Sequence, residues 1–392
     1  MTALDASARA SRVPPFHAMA MGRAASAREA AGHRVLHLEI GQPSTGAPRL
    51  AVDAVTAALG RPLGYTDADG LVTLRRRIAR HHLDERGVTV DADRIVAVAG
   101  ASAGFTLAFL AAFDAGARVG VVEPGYPCYR NTLHALDMEP VPIAVGADTR
   151  WAPTPAMLDA VGPLDGLIVA SPSNPTGTIL DAATLDELIA HCDARGIRLV
   201  ADEIYHGITY GPVPAPTVLG RTTDAIVINS FSKYFSMTGW RIGWVVAPDP
   251  LVDAFVRLQQ NLYVCAAHVS QIAATAAMDA SAELDAHVAR YATNRAILLD
   301  GLAGAGLTDI AEPDGAFYVY ADVGDLVDRL GDPTGSMALC RRWLDEIGVA
   351  CTPGIDFDLA RGDRFVRFSY AGATDDVGEA CALIADWIGR HP

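Results

Sequence analysis

From residue 95 to residue 247, short apolar runs recur along the chain, with helical stretches between them. The runs cover residues 95–99, 118–122, 167–170, 198–201, 225–229 and 242–247. Most are continuous rather than alternating, the pattern of strands in a sheet covered on both faces. Between the third and fourth runs, Leu185, Leu188, Ile189 and Cys192 recur at helical spacing. Asp181 stands before them as an N-cap and Gly196 after them as a stop, so a helix is predicted there. Regular alternation of strand and helix predicts an α/β fold with a mostly parallel sheet.

Both chain ends read differently. The first forty residues predict a helix and then an extended run, 35–40, that stops at Gly41-Gln42-Pro43. Past Asp249 the pattern is helical for about forty residues. Strands return near 317–323 and 365–370. The cluster Gly301-Leu302-Ala303-Gly304-Ala305-Gly306 ends a helix instead of following a strand, so it reads as a loop. There are no internal repeats or long linkers. The expected division is a large domain, residues 46–285, and a small one, residues 286–392, which the N-terminal segment 1–45 joins.

The formal net charge of -15 argues against a nucleic-acid partner and against anionic membranes. The six cysteines form no C-x-x-C pair and are widely spread, as expected for reduced thiols in a cytoplasmic protein. The histidines show no H-E-x-x-H spacing, so no metal site is expected. Residues 1–16 lack the apolar core of a signal peptide, and no apolar window is long enough for a transmembrane helix.

One residue stands apart in the composition. Of 31 basic residues, all but Lys233 are arginine. A primary amine forms an imine with an aldehyde, and a guanidinium does not. A site that needs this chemistry has to keep its lysine.

Lys233 lies in Ser230-Phe231-Ser232-Lys233-Tyr234-Phe235-Ser236-Met237-Thr238-Gly239-Trp240-Arg241, directly after the run 225–229. That puts it at the C-terminal edge of a strand, where open α/β sheets bind ligands. Ser230, Ser232 and Arg241 suit a phosphate beside the amine. Other strand ends carry Asp202-Glu203-Ile204-Tyr205, Ser173-Asn174-Pro175-Thr176-Gly177 and Glu123-Pro124-Gly125-Tyr126. Gly100-Ala101-Ser102-Ala103-Gly104 follows the first strand and opens a helix, a place where backbone N–H groups bind phosphate. Its spacing is not that of a dinucleotide site.

These motifs, in this order, resemble the class I/II aminotransferases of the pyridoxal-phosphate (PLP) fold type I superfamily, from about residue 16 to the C-terminus. The resemblance implies pyridoxal 5'-phosphate held as a Schiff base on Lys233. It implies that Asp202 pairs with the pyridine nitrogen and that Tyr205 and Asn174 meet the ring oxygen. Tyr126 would stack on the ring. Gly100, Ala101, Ser102, Ser230, Ser232 and Arg241 would surround the phosphate. Gly41 would border the substrate carboxylate, and Arg367 would grip it in a bidentate fork. Tyr65, in Gly64-Tyr65-Thr66, would reach the phosphate of a partner subunit in a homodimer.

The implied reaction moves an amino group between an L-amino acid and a 2-oxo acid by a ping-pong mechanism. A C–S lyase or decarboxylase on the same fold is the alternative. One aspartate-using branch of the family carries a lysine after the glycine aligned with Gly100. Here that position is Ala101, which speaks against aspartate by that route. The family's frequent stacking Trp is Tyr126 here.

Overall fold

The computed structural model describes residues 6–212, 214–331 and 334–391. Its centre is a seven-stranded sheet. In chain order the strands are β1 (Ile95–Val98), β2 (Arg118–Glu123), β3 (Glu139–Ala144), β4 (Gly166–Ala170), β5 (Arg198–Asp202), β6 (Ile226–Ser230) and β7 (Gly243–Val246). Their spatial order is β1-β7-β6-β5-β4-β2-β3, and only β7 runs against the rest.

All six runs predicted in this region are strands. The unpredicted one is β3, which contains Pro140 and Pro142. Proline has no N–H to give a sheet ladder, so its presence argues against a central strand. At the sheet edge, with β2 as sole neighbour, the missing donors cost nothing.

Successive side chains of a strand point to opposite faces, and here both faces are apolar. Val96, Val98, Ile168, Val200, Ile228 and Val245 pack with Phe105 and Phe109 of the helix α2 (Ala101–Ala112). Ala97, Leu167, Leu199, Val227, Trp244 and Val246 pack on the other side with Leu185, Leu188 and Cys192. Those three belong to the helix α3 (Ala182–Arg195). Asp181 caps it by accepting from Thr184 N at 2.8 Å, and Gly196 ends it at φ +67°, as predicted.

Three helices follow the sheet, the last running from Ser281 to Gly304, so the helical stretch is longer than expected. The predicted run 35–40 is a strand only at Leu36–His37, which pairs in parallel with Val349–Ala350. A four-stranded antiparallel sheet places Phe365–Ser369 between Thr352–Pro353 and Tyr318–Asp322, with Ile310–Ala311 at the far edge. Its core includes Phe317, Trp343, Phe368 and Trp387, joined by Met21 and Ala25 of the N-terminal helix α1 (His17–Ala30). All six cysteines are free, and four of them are buried.

One turn ties the two sheets together. Gly177 O accepts from Asp314 N at 3.0 Å and from Gly315 N at 2.9 Å. Gly177 has φ +70°, and a Cβ there would lie 2.4 Å from Pro313 Cβ. Gly177→Ala is therefore expected to cost about 1–3 kcal/mol through strain and the displaced loop. Urea unfolding of the variant beside the wild type measures it.

Candidate active site

The parallel strands end on one edge of the large sheet, and the loops leaving that edge carry the predicted residues. Gly100 follows β1, Tyr126 follows β2, and Asn174 follows β4. Asp202 closes β5 and Ser230 closes β6, with Lys233 three residues on. From the smaller sheet comes Arg367, in the middle of Phe365–Ser369.

Lys233 is half-buried, and its Nζ donates to Gly41 O at 2.6 Å. Its pKa is lowered to about 8, first by burial and then by the charge of Arg367, with Asp202 opposing. The loop that carries it is tightly built. Met237 N donates to Phe231 O at 3.0 Å, and Thr238 Oγ1 to Ser232 O at 2.7 Å. Ser236 and Arg241 both have positive φ, at +54° and +50°. Non-glycine residues in that region cluster where a backbone is held for function.

Arg241 closes back over the start of α2. A Cβ on Gly100 would lie 2.4 Å from Arg241 Nη2, and Gly100 has φ +83°. Only glycine satisfies both conditions. The guanidinium thus sits beside the first turn of α2, where backbone N–H groups lack helical partners. Ser232 contributes a hydroxyl to the same cavity, whereas Ser230 lies behind it, bonded to Ser232 Oγ at 2.8 Å and to Ile242 O at 3.0 Å. The arrangement can cradle an anion, and Ser230 stands one bond behind the cavity wall.

Asp202 is 4% exposed. Oδ1 accepts from Ile204 N at 3.0 Å, and Oδ2 accepts from the Tyr129 hydroxyl. Burial pushes its pKa up to about 6, against the pull of these two donors and Lys233. Beside it, Tyr205 OH and Tyr318 OH share a hydrogen bond of 2.7 Å. Tyr318 OH also explains Gly41, since a Cβ there would lie 1.9 Å from it.

Arg367 is 3% exposed and has only neutral partners among the described residues. Nη1 donates to Asn174 Oδ1 at 3.0 Å, and Nη2 to Glu39 O at 2.6 Å and Thr352 Oγ1 at 3.2 Å. Tyr318 and Phe357 lie 4.4 and 4.8 Å from its guanidinium carbon. A buried guanidinium with only neutral hydrogen-bond acceptors has the chemistry to receive an anion.

These side chains share a cavity of about 230 Å³. Gly41, Ala101, Ser102, Tyr126 and Asn174 line it, as do Asp202, Tyr205, Ser232, Lys233, Arg241 and Arg367. Tyr65 is not brought to them; it is 86% exposed and is not among the residues that line this cavity.

Sequence reading missed Tyr129, Tyr318, Thr352 and Phe16. Tyr129 lies on the helix Cys128–Ala135 and Tyr126 just ahead of it, so their spacing in the sequence offered no more than a faint signal. Tyr318 lies diagonally from Arg367 on the neighbouring strand, because Tyr320 pairs with Arg367. That relation exists only once the register is known.

Comparison with known proteins agrees with the geometry. Residues 33–384 match the family described as aminotransferase class I and II. A valine–pyruvate aminotransferase of Mycobacterium tuberculosis is 46% identical over 381 residues, covering 96% of this chain and 97% of that protein. The crystal structure of an aminotransferase from Mycobacterium tuberculosis superposes with a TM-score of 0.94 at 45% identity, covering 99% of this chain and all of that one. The aspartate aminotransferase of Thermus thermophilus with maleate gives 0.90 at 26% identity, covering 98% of this chain and 99% of that one. With its strand-edge lysine, buried carboxylate and anion-seeking arginine in the family's order, the chain belongs to the class I and II aminotransferases.

Proposed function

We propose that the protein binds pyridoxal 5'-phosphate covalently at Lys233 and transfers an amino group between a neutral L-amino acid and a 2-oxo acid. One observation carries this reading. The only lysine of the chain meets a buried carboxylate, Asp202, and a buried, anion-seeking Arg367 in one cavity.

The residues present fit the cofactor. The glycine-lined cradle of Arg241, Ser232 and the first turn of α2 suits its phosphate. Asp202, backed by Tyr129, suits the pyridine nitrogen, where a carboxylate holds a proton on the ring. Tyr205 and Asn174 would meet the ring oxygen, and Tyr126 would cover a ring face. When bound, the cofactor supplies an aldehyde for the amine and a ring that accepts the electron pair released at the substrate's Cα.

The protein's own groups do the rest. Arg367 fixes the substrate carboxylate with its fork, and so orients the Cα–H bond. Lys233 Nζ, neutral above about pH 8, accepts the Cα proton and can return it on the same face. Hydrolysis separates the two half-reactions, so the kinetics are ping-pong.

The cations that this chain supplies support a neutral donor. Among the lining residues these are Lys233, Arg241 and Arg367, and each already has a task. Among the described residues of this chain none is left for a second substrate carboxylate. The name of the Mycobacterium tuberculosis relative, which pairs valine with pyruvate, supports the same choice.

The exposed Tyr65 supports a homodimer in which it completes the partner's phosphate site. The free thiols support a cytoplasmic setting. We divide the chain as residues 1–45, 46–285 and 286–392, supported by the pairing of Leu36–His37 with Val349–Ala350.

The test is an absorption spectrum. With PLP the protein should show a yellow band that borohydride bleaches, leaving the label on Lys233. Valine or alanine alone should then convert the band to the pyridoxamine form. Persistence of the band while ammonia or carbon dioxide accumulates would identify a lyase or decarboxylase instead. Lys233→Arg should lower turnover by at least about a thousandfold, the scale of a lost general base; a variant with full rate sinks the assignment.

The pH dependence is also set. An amine whose pKa is lowered from 10.5 to about 8 is the free nucleophile above about pH 8. The rate at which cofactor-free protein captures PLP should rise with pH and reach half its maximum near 8. A midpoint near 10 would mean that Lys233 is not desolvated.

A further inference from the structure

Helix α1 begins without a cap of its own. Its N-cap residue is Phe16, whose side chain makes no capping hydrogen bond. The missing acceptor comes from the other end of the chain. Asp356 Oδ1 accepts from His17 N at 2.8 Å, and Oδ2 accepts from Ala18 N at 2.6 Å. A carboxylate at a helix N-terminus is favourable for both its hydrogen bonds and its charge. Asp356 is 2% exposed and is itself fixed, because Arg130 Nη2 donates to its carbonyl oxygen at 2.5 Å.

The pinned turn faces the active-site cavity. Phe16, Ala18 and Met19 line it together with Ile40. Phe16 sets its ring edge-on to Tyr126, with centroids 6.3 Å apart. Met19 is 56% exposed and Ile40 is 40% exposed. Apolar side chains held in the open beside a cluster of cations make a surface for the apolar part of a ligand whose charged end lies deeper. On the other side of Asp356, Phe357 packs on the guanidinium of Arg367. One short turn, Gly354–Asp356 and the residue after it, thus bears on both ends of the substrate.

We propose that Asp356 is a positioning residue that holds Phe16, Ala18 and Met19 as an apolar wall for the substrate side chain, making the site selective for amino acids with branched or long aliphatic side chains. The inference rests on the aminotransferase reading and adds the side-chain subsite to it. Asp356 touches neither substrate nor cofactor; it acts through the backbone of His17 and Ala18. Loss of one acceptor oxygen frees the first turn of α1 and loosens the wall; Arg367 keeps its hydrogen-bond partners, and the loss of the Asp356 charge near it bears equally on every donor, because each carries the same α-carboxylate. An amino acid with no side chain beyond Cβ barely reaches the wall, so it reports on the rest of the site.

The experiment measures steady-state kinetics of the PLP-loaded protein with alanine, valine, leucine and aspartate as donors and a fixed 2-oxo acid. Wild type should prefer valine or leucine to aspartate. In Asp356→Asn, KM for valine should rise about tenfold relative to KM for alanine, the size of effect that one or two methylenes make in an apolar pocket, with the loss in KM and not in kcat. Phe16→Ala should shift the valine-to-alanine ratio the same way, and Met19→Arg should raise kcat/KM for aspartate at the expense of valine. These two variants decide the matter if Asp356→Asn does not fold. Equal losses for alanine and valine or an unchanged ratio in the two wall variants would overturn the inference and leave the proposed function standing; a wild type that prefers aspartate would overturn the inference and the neutral donor, and leave only the amino-group transfer. A wild type that converts no donor overturns both.

Discussion

Positive charge is crowded into a space that the protein must also keep partly dry. Lys233, Arg241 and Arg367 face one cavity. Two carboxylate residues line it, Asp202 and Glu39, and the side chain of Glu39 is engaged by His37 at 2.8 Å. That pairing raises the His37 pKa to about 9, so the Glu39 charge is met outside the site. Among the lining residues Asp202 is left to offset three cations, with the buried Asp356 acting on Arg367 from behind the wall. Burial, and after it the charge of Arg367, lower the Lys233 pKa, and Arg367 itself has neutral hydrogen-bond partners. The chemistry of the site follows from this imbalance.

An unbalanced set of charges stays in place only if neutral groups hold it. The acceptors used are backbone carbonyls, an amide and a hydroxyl. Gly41 O receives Lys233, and Glu39 O, Asn174 and Thr352 receive Arg367. Each is a dipole that steadies a cation without neutralising it, so binding energy for a carboxylate remains available. Two glycines make room for the arrangement. Gly100 admits the guanidinium of Arg241, and Gly41 admits the hydroxyl of Tyr318.

The holding groups come from distant parts of the chain. Glu39 and Gly41 belong to the N-terminal segment, Asn174 to a loop that leaves the large sheet, and Thr352 and Arg367 to the smaller sheet. The pairing of Leu36–His37 with Val349–Ala350 and the capping of α1 by Asp356 bring these pieces together. Any movement of the smaller sheet against the larger would therefore move Arg367 relative to Lys233, which gives the fold a direct mechanical link between packing and the geometry of the cavity.

Much of this was legible along the chain because strand ends are local features. An apolar run followed by a polar loop marks a sheet edge, and Asp202, Asn174, Gly100 and Lys233 each sit at such a place. The lone lysine was visible by count. By contrast, β3 was hidden by its two prolines, since only its edge position makes them harmless. Tyr318 and Thr352 were hidden because their roles depend on strand register with Arg367, which sequence spacing does not encode. Asp356 was hidden for a similar reason, as a helix cap supplied from more than three hundred residues away leaves no mark near the helix. The sequence by itself determined which groups stand at the sheet edge and what each could do as an isolated side chain. Only the tertiary structure decided which cations lack an anionic partner and which surface faces the substrate, because electrostatic balance and shape arise from contacts between segments that folding alone brings together.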